Sequence, residues 1–315
     1  MADIYCSVTG AGAKTGESAA NAFEGITDAM LEALSPGDTC YLESGEYNAS
    51  LDIAKDGTID NLISLIGVSS LSTLAPATGT DRPYFNQSDN YRFMFDNYWK
   101  IANIRILQNN TTINGSARVD TGGILDNIKV EVTGTGTYAF YSEGTVLKVI
   151  NCEASIPNGI GFHVKNSDYY FGCYAHDCVK GFNCASAGFN IDYCIADSCD
   201  VGFSFDSGTA IIKNSVLYNC GKGIFIPTTK YNIVIFNCII SECTIGIESE
   251  DATLSNYIRN NCYYNNTTDV DGVPLGDNAV EADPKFTDPS NGDFSLQSSS
   301  PCIDAGMKMI LGVGL

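Results

Sequence analysis

Positive charge is scarce in this chain. Lys and Arg number 17 against 37 Asp and Glu, for a formal net charge of −20. Nucleic-acid binding needs a basic stripe along the phosphates, so this balance argues against nucleic acid as a partner, and equally against an anionic membrane surface. Long apolar runs are missing too. No stretch approaches the length of a membrane span, so membrane insertion is not expected. Met1 to Gly12 holds neither a basic region nor a long apolar stretch, and no signal peptide is expected there. The expected location is a virion or extracellular surface reached without one, or otherwise the cytoplasm. Hydrophobic residues still make up 44%, enough for an ordered interior, and the 31 glycines suit a fold with many corners.

What the chain does have is a repeat. Ile104, Ile128, Cys152, Cys173, Cys194, Ser215, Cys238 and Cys262 recur every 21 to 24 residues. Cys178, Cys199, Cys220 and Cys243 form a second column, followed by Gly181-Phe182, Gly202-Phe203, Gly223-Ile224 and Gly246-Ile247. A fixed period of this size marks a solenoid, whose units bury their apolar faces only by stacking. The unit is too short for two helices. In Asn232 to Ser249, β-branched and aromatic residues alternate between turn signals, which reads as three short strands and two sharp corners. An asparagine column precedes the first cysteine column: Asn103, Asn127, Asn151, Asn214, Asn237 and Asn261, interrupted by Gly172 and Tyr193. Asparagine tolerates the left-handed backbone of a tight corner, and its side chains hydrogen-bond to one another when stacked. The expected fold is all-β: a right-handed, single-stranded parallel β-helix with coils about 4.8 Å apart.

Most of the 13 cysteines fall on the two inward columns as small apolar fillers, so free thiols are the expected state. A straight ladder of thiols does not make a tetrahedron, and zinc is not expected. Residues 1–38 read as an N-terminal segment with a capping helix, Ser18 capping a face of Phe23, Ile26, Met30, Leu31 and Leu34. Coils are expected over 39–272, interrupted by a polar insertion at 75–91 that carries Arg82, Tyr84 and Phe85. Residues 273–315 read as a wrapping segment and an apolar tail.

Both ends resemble the pectate-lyase-like family of parallel β-helix proteins. The front carries Ala20-Asn-Ala-Phe23 and Ser35-Pro-Gly-Asp-Thr-Cys-Tyr-Leu42, then Gly45-Glu-Tyr47. The back carries Ala282-Asp-Pro-Lys-Phe286, Asn291-Gly-Asp-Phe294 and Ser300-Pro-Cys-Ile-Asp-Ala-Gly306. The resemblance implies a sugar polymer lying along the side of the helix, as in polysaccharide lyases, glycoside hydrolases, epimerases and phage tailspikes. It does not bring a catalytic motif. Neither His163 nor His176 is flanked by two glycines as in the galacturonase pattern, and the lyases' arginine-containing segment has no clear match. Fold alone licenses no reaction.

Candidate chemistry comes from alternation. With the Gly-apolar residues facing in, the next residues face out: Tyr141, His163, Asn183, Ser204, Phe225 and Glu248. Glu143, Lys165, Ala185, Asp206, Pro227 and Glu250 lie two positions further. Tyr141, Glu143, Asn183 and Asp206 are thus candidate sugar contacts, and His163 or Lys165 a candidate base toward a uronate. The alternative is an exposed strand face with surface ion pairs. A second candidate is the corner between the cysteine columns, where His176, Asp177, Asp197 and Asp200 fall on adjacent coils. Asp177 and Asp197 suit a glycosidase acid and its partner, and the same oxygens could hold Ca²⁺, although no cofactor is expected; aspartates are also simply good corner residues. Tyr169, Phe171 and Phe236 form an outward aromatic stripe for a sugar or a second subunit.

The first expectation is a carbohydrate-recognising β-helix of the tailspike or virion-appendage kind, a homo-oligomer such as a trimer, binding a polysaccharide or cell-surface glycan. The second is a lyase or hydrolase of an acidic polysaccharide. The third is a non-catalytic structural or adhesive spacer.

Overall fold

The computed structural model describes residues 3–87, 93–109, 114–141, 144, 148–164, 169–185, 188–206, 208–227, 233–250 and 257–307. Its chain winds into a parallel β-solenoid with three sheets along its length, of twelve, eleven and ten strands. They are called sheets 1, 2 and 3 in the order the chain visits them. One coil consists of Phe189–Asp192 in sheet 1, Ile195–Asp197 in sheet 2 and Val201–Phe205 in sheet 3. The three strands, two sharp corners and vertical columns match the architecture expected from the repeat.

The first cysteine column is visible in the backbone ladder. Tyr174 donates its N–H to the Cys152 carbonyl, Ile195 to Cys173, Val216 to Cys194 and Cys262 to Cys238, all at 2.8–2.9 Å. The second column behaves likewise: Asp200 donates to Cys178 and Gly221 to Cys199. All 13 thiols are free, and all but Cys302 are buried.

The left-handed corner is occupied as expected by Asn103, Asn127, Asn151, Asn214 and Asn237, with φ between 51° and 60°. Asn127 donates to Asn103 Oδ1 at 2.8 Å and Asn237 to Asn214 Oδ1 at 3.1 Å. Gly172 is required where it interrupts: a Cβ there would lie 2.5 Å from Asn151 Oδ1. One member differs from expectation. The left-handed residue of the last coil is Asn260, while Asn261 turns inward and is buried. Its amide accepts from the Cys238 N–H at 2.9 Å and donates to the Ile235 carbonyl at 3.2 Å.

The interior is filled unevenly. Sheet 3 sends in Phe140, Phe162, Phe182 and Phe203, the first three stacked at 4.7 Å and 12–13°. Sheet 2 answers on neighbouring coils with Ala154, Ala175 and Ala196. The glycine before each phenylalanine permits this close packing. A Cβ on Gly181 would sit 2.8 Å from the Gly202 carbonyl and 3.2 Å from the Ala196 Cβ.

The N-terminal capping helix is not found. Among the described residues of the segment, the only α-helix is Asp28–Glu32. Phe23 instead enters a short strand opposite Cys6, and Gly25, at φ 70°, breaks the apolar pattern that suggested a longer helix. The strand Ile4–Ser7 extends sheet 1 past Thr39–Glu43. The short helix protects a sheet edge by other means. Glu32 Oε1 accepts from the Ala54 N–H at 2.7 Å and Asp28 Oδ1 from the Asp52 N–H at 3.4 Å, satisfying donors on and just after Leu51–Ile53, the first strand of sheet 3. Within 75–91, Tyr84–Gln87 is a regular strand of sheet 2, with Phe85 fully buried between Tyr47 and Phe93. At the far end, Val280–Glu281 adds the last strand of sheet 2. An antiparallel hairpin, Phe286–Asp288 with Asp293–Leu296, then folds back over that sheet, setting Phe294 5.3 Å from the Tyr218 ring.

Candidate functional site

On sheet 3 the strand register sets Arg118 beside Tyr141, Tyr141 beside His163, His163 beside Asn183, and Asn183 beside Ser204. Tyr141, His163 and Asn183 therefore share one outward column on adjacent coils. They are not openly exposed: His163 is 8% exposed and Asn183 2%. Alternation fixes direction only, and neighbouring columns close over these residues. The rings of Tyr138 and Tyr141 lie 4.5 and 5.3 Å from the imidazole, the latter stacked at 15°.

Lys180, one column over, supplies the organising cation. Its Nζ donates to Asn183 Oδ1 at 3.0 Å and lies 3.4 Å from Asp206 Oδ1. Asn183 Nδ2 donates to Asp206 Oδ2 at 2.8 Å and to His163 Nδ1 at 3.3 Å. Arg118 holds Asp120 in a two-point contact of 2.7 and 3.2 Å and lies 5.7 Å from the Tyr141 ring. Below it, burial raises the Asp96 carboxyl above its ordinary range, with Asp120 and Asp56 adding to the rise and Arg118 opposing it. Further along, Lys222 pairs with Glu248 at 2.7 Å and lies 4.3 Å from the Phe225 ring. The sequence reading missed Tyr138, Arg118, Lys180 and Lys222. Lys180 and Lys222 stand at the same place in their coils, directly before the Gly-apolar pair, and that spacing would have found them. Lys165 and Glu143 lie outside the described residues.

The corner candidate on sheet 2 is arranged differently. His176 pairs with Asp197 in register, while Asp177 occupies the left-handed corner at φ 53°. The two aspartates are engaged separately. Asp177 Oδ2 lies 2.8 Å from His176 Nδ1. Asp197 accepts from the Tyr174 hydroxyl at 2.9 Å and the Ser198 hydroxyl at 2.8 Å. Burial raises the Asp197 carboxyl, against the pull of those two hydrogen bonds. His176 Nε2 faces Glu153 Oε1 at 3.2 Å, and Glu153 also takes Lys129 at 2.7 Å. Burial works against the Glu153 charge, yet the bonds from His176 and Lys129 outweigh it and hold that carboxyl down at about 2. The imidazolium of His176 is likewise disfavoured by burial but raised by Glu153 and Asp177. Among the described residues, no three His, Cys, Asp or Glu side chains converge in a way that could hold a metal ion.

On sheet 1, Tyr169 and Phe171 lie half-buried with rings 6.2 Å apart, and Phe171 meets the exposed Tyr193 edge-on at 5.5 Å. The stripe does not continue to Phe236. The next coils insert an Asp192–Lys213 pair at 3.2 Å, and Phe236 is buried. A cleft of about 680 Å³ runs under the C-terminal segment beside Ile195, Val216 and Ile239. It is mostly apolar and carries no carboxylate, Lys, Arg or His among its lining residues, so the convergent polar groups of sheet 3 are the better site.

Residues 195–280 match the family model for the periplasmic copper-binding protein (NosD). A sequence search of curated proteins found no match. Several solved structures share the fold. A rhamnogalacturonan lyase superposes with a TM-score of 0.65 at 13% identity, over 91% of each chain. The GH136 lacto-N-biosidase from Eubacterium ramulus gives 0.62 at 13%, over 89% of this chain and 67% of that one. Pectate lyase Pel9A gives 0.60 at 14%, over 98% and 92%. Identities this low establish the β-helix fold alone, and at that level the resemblance to the pectate-lyase-like proteins holds. No helix among the described residues is long and apolar enough to cross a membrane.

Proposed function

We propose that this chain binds a polysaccharide along the outer surface of sheet 3, centred on Tyr141, His163 and Asn183. The observation that carries the reading is the row itself: aromatic rings on successive coils, flanked by cation–carboxylate pairs at Arg118–Asp120, Lys180–Asp206 and Lys222–Glu248. Rings stack on sugar faces, and fixed pairs of donors and acceptors suit hydroxyls. Each cation is already balanced by a carboxylate, and the whole chain carries −20. An uncharged, hydroxyl-rich polymer therefore fits better than a polyanion, which would have to displace Asp120, Asp206 or Glu248 against a repulsive field.

A glycan array followed by calorimetry on Tyr141→Ala and Arg118→Ala tests this. Weakened binding to an uncharged glycan in both variants is the expected result. No glycan binding, or binding indifferent to both changes, sinks it. Incubation with polyuronates, followed by ultraviolet absorbance of an unsaturated product or by new reducing ends, tests the lyase or hydrolase alternative. The tailspike or virion-appendage expectation rests on the sequence reading alone, and light scattering that found a trimer would support it. Copper binding is not carried over from the matched family. The matched span has no histidine, and its buried thiols lie against backbone carbonyls, Cys199 against Asp197 at 3.3 Å and Ala175 at 3.9 Å, Cys220 against Tyr218 at 3.3 Å and Ala196 at 3.6 Å.

A further inference from the structure

A second cleft with polar walls lies on sheet 2, away from the Tyr141 row. The register there sets Tyr218 beside Ser241 and Ser241 beside Tyr264, on three successive coils. Leu217, Ile240 and Tyr263 of the same strands are buried inside, so this column faces out. The C-terminal hairpin folds over it and leaves a cleft of about 520 Å³, a volume in the range of small-molecule sites. A serine between two tyrosines makes a notch, since Tyr218 and Tyr264 stand two coils, about 9.6 Å, apart. Phe286 and Phe294 hold the Tyr218 ring edge-on at 6.2 and 5.3 Å, whereas Tyr264 is 36% exposed.

Ser241 forms the floor. It is 1% exposed, and its hydroxyl has no hydrogen-bond partner among the described residues. A buried hydroxyl left unmet is a net cost that alanine would avoid. The groups around the notch carry both signs. Glu242 accepts from Asn265 Nδ2 at 2.7 Å through Oε2, and Asp283 accepts from the Lys285 N–H at 2.8 Å through Oδ1. The second oxygen of each carboxylate has no hydrogen-bond partner among the described residues. Lys285 Nζ donates to Ser299 Oγ at 3.4 Å and forms no ion pair among them.

We propose that this cleft is a second binding site, for an uncharged mono- or disaccharide. Tyr264 stacks on a sugar ring, Ser241 and Lys285 donate to its oxygens, and Glu242 and Asp283 accept from its hydroxyls. An apolar ligand would leave the ammonium and both carboxylates unmet, and an anion would face two carboxylates with one lysine; a polyol satisfies both signs. The site goes beyond the sheet 3 reading and does not depend on it, being on another face and of a size for a short sugar rather than a long chain.

Titration of the full chain carrying Tyr141→Ala tests it, with cellobiose and xylobiose as neutral probes and digalacturonate as the anionic one, followed by saturation-transfer NMR and calorimetry. A neutral disaccharide should bind better than digalacturonate, and Tyr264→Ala and Lys285→Ala should each weaken it about threefold or more. Ser241→Ala separates a ligand role from a structural one: the ligand-free denaturation midpoint should rise while binding weakens. A midpoint that stays or falls overturns the proposal. So does binding of neither neutral probe, a preference for digalacturonate, or binding indifferent to Tyr264→Ala and Lys285→Ala. In a chain with Tyr141 intact, sugar binding lost in Tyr141→Ala but kept in Tyr264→Ala assigns all of it to sheet 3 and also overturns the second site. Disaccharide binding kept in Tyr141→Ala and lost in Tyr264→Ala supports the second site, whatever becomes of sheet 3.

Discussion

The two histidines of this chain sit on neighbouring faces of the same solenoid, and their surroundings give them opposite chemistry. His163 on sheet 3 meets an amide N–H at Nδ1, which only a bare nitrogen can accept. His176 on sheet 2 meets Asp177 at one nitrogen and Glu153 at the other, so both nitrogens donate and the imidazolium is favoured. One sits beside an amide in a polar network with Lys180 and Asp206. The other lies between two carboxylates that raise its pKa, in a chain that continues through Lys129. The contrast shows that exposure and residue type do not assign a role; the sign of the neighbouring hydrogen-bond groups does.

The largest expected difference lies beneath the two rows. Sheet 3 is underlain by stacked phenylalanines and sheet 2 by alanines. Phe182→Ala should cost about 3–5 kcal/mol, since its cavity is walled by Phe162 and Phe203 and cannot easily close. Ala175→Leu should instead overpack and cost about 1–3 kcal/mol. Urea denaturation measures both, and a smaller loss for Phe182→Ala than for Ala175→Leu would break the comparison.

Next comes pH. Glu153, held at about 2 against an ordinary 4.5, contributes stability that is complete above pH 4.5 and fades as pH falls toward 2. His176, raised above 6.5, contributes stability that is complete below pH 6.5 and fades as pH rises through its folded value. The cluster should therefore stabilise most between pH 4.5 and 6.5. The Glu153 shift corresponds to a gross figure of about 3 kcal/mol, which partial exposure and screening reduce to about 1–2 kcal/mol. Glu153→Gln should lose that amount near pH 5.5 and flatten the profile. Denaturation midpoints from about pH 2 to about pH 9 report it.

A smaller effect separates binding from stability. Tyr141→Ala should weaken glycan affinity by roughly 2- to 13-fold, the value of one aromatic stack, with little change in midpoint. The smallest concerns Asp177. Its side chain is 61% exposed, so Asp177→Asn should change stability by less than about 0.5 kcal/mol. A large loss there would mean that the corner row, not sheet 3, is the constrained site.

Much of the fold was legible because the solenoid repeats its requirements. Each coil needs a left-handed corner, an inward filler and a close glycine, and Asn103, Cys173 and Gly181 each recur as a column. The N-terminal segment does not repeat, and there a helical-looking pattern lost to strand pairing at Phe23 and to the break at Gly25. The candidate site was legible in part. Alternation set Tyr141, His163 and Asn183 on one outward column. It could not show that Tyr138 and Lys180 close over them, because cover comes from neighbouring columns. Arg118 escaped notice because its strand pairs with Tyr138–Tyr141 through a register shift, outside the Gly-apolar spacing. The engagement of Asp197 was invisible for another reason: its partner Tyr174 sits on the preceding coil and is braced by Phe294, 120 residues further along the chain.

The order of residues within one coil determined the backbone path, because alternation and the corner residues are local demands that 21 to 24 positions satisfy by themselves. The chemistry of each exposed group was decided only when coils stacked. Contacts between side chains 20 to 26 residues apart then set an amide against one histidine and a carboxylate against the other. Their strength and direction depend on distances of a few ångströms that stacking creates and the linear chain does not contain.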